Sequence, residues 1–99
     1  MAFKGKHSCY SFTAVSVRQN APPCSGVYAL SNASGWIYIA EADNMQAALM
    51  THLSDLGAKL RTAAPTGFTF EPCEPGVRAS RLARLIQDLS PSCNLPTRA

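Results

Sequence analysis

Residues 25–53 read SGVYALSNASGWIYIAEADNMQAALMTHL. Two short apolar runs, Gly26 to Leu30 and Trp36 to Ala40, flank Ser31 to Gly35, a stretch of turn-forming residues. The runs are rich in β-branched and aromatic side chains and read as two antiparallel strands joined by a hairpin with a longer loop. Side chains alternate across a strand, so Tyr28 shares a face with Leu30, and Trp36, Tyr38 and Ala40 share a face. A plain antiparallel register puts both tyrosines on one side of the sheet. A helix over 43–56 follows at once. Asp43 suits the N-cap, with Gln46 three residues on as a capping box requires. Met45, Ala48, Leu49, His52, Leu53 and Leu56 recur at helical spacing, and Gly57 suits the C-terminal cap.

Working outward, "SCYSFTAVSV" at 8–17 has the composition of an extra strand, and "RQNAPPCSG" breaks it. Beyond the helix, "FTFEPC" at 68–73 reads as a further strand with Phe68 and Phe70 on one face. Pro75-Gly76 turns the chain. A second helix runs from about Val77 to Leu89 on the apolar stripe Leu82, Leu85, Ile86 and Leu89, ended by Pro91. The order of strand, hairpin, helix, strand, helix predicts a small α/β (α+β) domain, with helices packed on a mostly antiparallel three-stranded sheet.

The chain has 99 residues, enough for one domain with a modest core. Only 15% of residues are charged and the net charge is +3. That balance permits contact with a phosphate backbone without demanding it. No apolar run approaches a signal peptide or a membrane span, so the expectation is a cytoplasmic protein with no membrane partner. Cys9, Cys24, Cys73 and Cys93 include no CxxC pair, and with His7 and His52 they carry no zinc signature; reduced thiols are expected.

"GVY" at 26–28, "YIA" at 38–40, a helix bearing His52 and "LIQDLSPSCN" at 85–94, in that order and spacing, resemble the GIY-YIG nuclease domain. "PTGFTFEP" at 65–72 resembles the stand-alone bacterial members. The resemblance covers residues 22–95, leaving 1–21 as a leader with the extra strand and 96–99 as a tail. It implies hydrolysis of a phosphodiester by an aligned water, one divalent metal on a helix glutamate, and a helix arginine on the phosphate. Charge stabilisation and Lewis acidity are what such chemistry needs.

Carried over residue by residue, the resemblance makes Tyr28 the first tyrosine, which activates or orients the water. Tyr38 becomes the second tyrosine, which positions it. His52 is the helix histidine and Asn94 the supporting asparagine. The arginine position, ten residues after Tyr38, is Ala48, and the metal-glutamate position, three before Leu85-Ile86, is Leu82. Val27 and Ala40 also depart from the family triplets. Both charged groups of the chemistry are therefore replaced. The expectation is a catalytically impaired domain that binds DNA or RNA weakly or serves as an interaction module, with no cofactor. The alternatives are a magnesium-dependent endonuclease working with substituted carboxylates, for which Glu41, Asp43 and Glu71 are the candidates, and a protein-interaction domain with no nucleic-acid role. Arg78, Arg81 and Arg84 recur every three residues on the second helix. They read either as a solvated face, with Arg84 and Asp88 paired at i, i+4, or as a phosphate-contacting stripe helped by Lys59 and Arg61.

Overall fold

The computed structural model describes residues 9–55 and 57–93, with the backbone alone at Ala58 and Lys59. The elements run β1 (Tyr10–Ser11), α1 (Ala14–Asn20), β2 (Gly26–Asn32), β3 (Gly35–Ala42), α2 (Met45–Ser54), α3 (Gly57–Ala63), β4 (Gly67–Pro72) and α4 (Pro75–Leu89). All strand pairs are antiparallel, in the order β1-β4-β2-β3. The expected α+β class stands, with a fourth, two-residue strand added to the sheet.

The hairpin is tighter than its composition suggests. Asn32 closes it: its Oδ1 accepts from Ser34 N at 2.8 Å and its Nδ2 donates to Ala63 O at 2.7 Å. Gly35 supplies the positive φ of 136° at the turn. Register shifts between Leu30 and Ser31, which pair with Tyr38 and Trp36, so Ile37 is an extra residue on β3. This bulge corrects one expectation. Trp36 does not share a face with Tyr38 and Ala40; it packs against Val27, Ala29, Ile39 and Leu85 on the other side.

The sheet separates two apolar clusters. On one side Val17 and Ala21 of α1, Met45 and Leu49 of α2 and Leu60 of α3 pack on Tyr28, Leu30, Ile37 and Phe68. The rings of Tyr10, Phe12 and Phe70 lie around Phe68, with centroids 5.4 to 6.5 Å from it. On the other side α4 lays Leu82, Leu85, Ile86 and Leu89 on Val27, Ala29 and Ile39. Each fully buried aliphatic or aromatic side chain contributes about 1.5–3 kcal/mol of transfer free energy.

The expected strand at 8–17 survives only as Tyr10–Ser11; the rest turns into α1, where Thr13 Oγ1 accepts from Ser16 N at 3.2 Å as N-cap. For α2 the cap is Asn44, not Asp43: its Oδ1 accepts from Ala47 N at 2.9 Å. Gln46 makes no capping box. Its Nε2 donates instead to Ala21 O at 3.0 Å, tying α1 to α2. Asp55 is the C-cap of α2, and Gly57, with φ 79°, opens α3 rather than ending α2. Pro75, expected in a turn, stands at the start of α4, where its missing N–H costs nothing.

Candidate functional site

β2, β3 and α2 bring Tyr28, Tyr38 and His52 together. The Tyr28 hydroxyl and His52 Nε2 are joined by a hydrogen bond of 2.7 Å. The His52 ring lies 5.7 Å from Tyr28, tilted, and 5.5 Å from Tyr38, edge-on. Both tyrosines therefore meet the histidine on one side of the sheet, as the alternation along β2 and β3 predicts. Register explains it, since Tyr38 pairs with Leu30 and Tyr28 with Ala40, one step apart on the same face.

The electrostatics of this cluster are those of a buried neutral group. Tyr28 is 3% exposed, and burial first, then the neighbouring Tyr38, pushes its phenol above the ordinary value. Burial lowers the His52 pKa, which favours the uncharged imidazole. A phenol held this way is a poorer base than free tyrosine, and nothing in α2 offsets that: the helix contains no lysine, arginine, aspartate or glutamate. One turn before His52 stands Ala48, half-buried against the larger apolar cluster that includes Tyr28.

Leu82 lies elsewhere. Ala48 packs with the Tyr28 cluster and Leu82 with the α4 cluster. The sheet stands between the two clusters. The residue before Asn94 is anchored beside Tyr38, with Cys93 N donating to Ile37 O at 2.7 Å. Asn94 itself lies outside the described residues, as does the side chain of Lys59.

The arginine stripe is not a free basic face. Arg78 donates from Nε to Glu41 Oε1 at 3.0 Å and from Nη1 to Asp43 Oδ1 at 2.5 Å and Ser25 Oγ at 3.2 Å. Arg81 holds Glu71 with two bonds, 2.8 and 2.9 Å. Their side chains are only 16% and 18% exposed. Arg84 is the open member, 69% exposed, with Asp88 at 3.8 Å, as the i, i+4 spacing predicts. Arg61 is exposed on α3, which packs on the opposite side of the sheet from α4, so Arg61 does not extend the stripe. These ion pairs join residues 10 to 37 positions apart and carry no local sequence signal.

No protein-family model matches the sequence, and no curated protein matches it. Solved structures do. Crystals of the GIY-YIG N-terminal endonuclease domain of UvrC from Thermotoga maritima superpose with TM-scores of 0.67 to 0.68 at 22–23% identity, over 81% of this chain and 96% of that domain. This chain has the GIY-YIG fold. The GIY-YIG domains in those crystals are point mutants bound to their catalytic divalent cation.

The donor set here does not fit such an ion. A hard cation such as magnesium takes oxygen ligands, typically one or two carboxylates with waters completing its shell. Leu82 offers none, and the carboxylates named as substitutes are engaged, Glu41 and Asp43 by Arg78 and Glu71 by Arg81. Among the described residues no group of three or more histidine, cysteine, aspartate or glutamate side chains converges on a point. Among the same residues, no helix is long and apolar enough to cross a membrane.

Proposed function

We propose that this is a catalytically silent GIY-YIG domain that keeps the tyrosine–histidine geometry of a nuclease site and has lost its charges. The observation that carries the proposal is the alanine at position 48, half-buried against the core cluster that contains Tyr28, where the resemblance calls for an arginine. Removing one well-placed charge-stabilising donor typically costs about 100- to 1000-fold in rate. Without a metal ligand at Leu82, Lewis acidity and water activation go too. What persists is weak, sequence-independent contact with DNA or RNA through Arg84 and Arg61, or docking of a protein partner. Few phosphate contacts give a shallow dependence on salt.

Fluorescence anisotropy with labelled single-stranded and branched oligonucleotides, followed by a denaturing gel of the same samples, tests this reading. The expected result is intact strands in magnesium, manganese and chelator alike, with binding that fades as salt rises and weakens in Arg84→Ala/Arg61→Ala. Unchanged binding in that double variant moves the proposal to the protein partner.

A working endonuclease is the competing reading, and spacing favours it. In the Thermotoga maritima crystals, three tyrosines replaced by phenylalanine stand ten and fourteen residues apart. Tyr28, Tyr38 and His52 stand ten and fourteen residues apart here. Metal-dependent strand cleavage abolished by Tyr28→Phe would establish it.

A further inference from the structure

The misfit of the metal has a counterpart at the start of α4. We propose that Arg78 is the resident cation of this domain, a guanidinium that ties the Ser25 and Glu41–Asp43 segments to α4 and occupies their carboxylates in place of a metal. The proposal rests on the metal-independent reading above. Three oxygens from two segments meet on Arg78: Ser25 Oγ just before β2, and Glu41 Oε1 and Asp43 Oδ1 at the end of β3. The guanidinium that joins them comes from a third segment, α4, one turn before Leu82. Its side chain is 16% exposed, with Glu41 at 33% and Asp43 at 89%.

The physical consequences differ from those of a metal. A guanidinium stays protonated at every working pH and its planar fork matches two carboxylates at once. It is covalently part of the chain, so a chelator cannot remove it. A divalent cation competing for Glu41 and Asp43 would have to displace Arg78 and leave its charge without carboxylates, a cost that opposes binding. Arg81 holds the carboxylate of Glu71 on β4 with two bonds.

Thermal unfolding of the full chain tests the assignment, with Arg78→Ala, Arg78→Lys and Arg81→Ala beside it, each in chelator and in millimolar manganese. The wild type should unfold within about 1 °C of the same temperature in both, since a ligand shifts Tm only by binding the folded state. Arg78→Ala should unfold several degrees lower in chelator and recover in manganese, because Glu41 and Asp43 are then open to another cation. Arg78→Lys keeps a positive charge there and should not respond to the metal. Arg81→Ala should be destabilised without metal recovery. If Arg78→Ala does not fold in chelator, manganese-dependent return of its helical circular dichroism is the same supporting result. A wild-type Tm raised by manganese, or an Arg78→Ala variant indifferent to it, overturns the proposal. Nucleic-acid cleavage without a thermal response would overturn the proposed function and leave Arg78 in place; a wild-type thermal response without cleavage would do the reverse.

Discussion

On one face of the sheet, three polar heads, those of Tyr28, Tyr38 and His52, meet inside an apolar cluster with no charged side chain on the helix above them. On the opposite face, α4 lays an apolar stripe and sends Arg78 and Arg81 to carboxylates of the β2–β3 and β4 segments. The first face satisfies neutral groups with neutral groups, and the second satisfies charge with charge. The helix that carries His52 to the tyrosines brings them no lysine or arginine.

The largest expected effect falls where the two faces meet. A Cβ added at Gly26 would lie 2.4 Å from Glu71 O and 2.6 Å from Met45 Sδ. The methionine can swing aside but the β4 carbonyl cannot. Gly26→Ala should cost more than about 4 kcal/mol in urea unfolding, beyond most overpacking, because a backbone must move. Next come the two clusters themselves. Phe68→Ala, among the rings of Tyr10, Phe12 and Phe70, should cost about 4 kcal/mol, and Leu85→Ala, on the α4 side, about 3 kcal/mol. A Leu85→Ala loss well above that of Phe68→Ala would mean the main core lies under α4 and would reverse the comparison.

Smaller effects probe the tyrosine–histidine face alone. Tyr28→Phe removes the hydroxyl bonded to His52 at 2.7 Å and should cost about 1–2 kcal/mol. The pH dependence follows from His52. Burial lowers its pKa in the folded state, so the unfolded chain binds the proton more readily. Stability from this group is complete above the ordinary value of 6.5 and is lost as pH falls from there through the lowered value of the folded chain. Melting curves from pH 8 to pH 5 should show that loss, and His52→Gln should flatten it. A wild-type Tm that rises as pH falls to 5 would place a charged partner near the ring and contradict the neutral face.

Much of the fold could be read from the sequence because its signals are local. The β2–β3 alternation, the helical spacing of α2 and the Leu82-Leu85-Ile86-Leu89 stripe each lie within a few residues. The α1 segment was misleading for a physical reason: "SFTAVSV" has strand-like composition, yet Thr13 caps a helix whose Val17 and Ala21 are drawn into the core by α2. α3 gives little pattern in seven residues, and it is fixed by Leu60 and by Asn32 on its last carbonyl. The site divides the same way. Tyr28, Tyr38 and His52 were legible through spacing and strand parity. The partners of Arg78 and Arg81 were not, because an ion pair across 37 or 10 residues exists only once the chain has folded.

The most direct measurement of the central claim is nicking of supercoiled plasmid, where a single cut among thousands of bonds changes the topology of the whole molecule. The purified chain, in excess over plasmid, would be incubated with magnesium, with manganese and with chelator, alongside Tyr28→Phe. The account predicts the same slow background of open circles in all lanes, since residue 48 is alanine, residue 82 is leucine, and Glu41, Asp43 and Glu71 are held by Arg78 and Arg81. Nicking that appears only with metal and vanishes in Tyr28→Phe would contradict it.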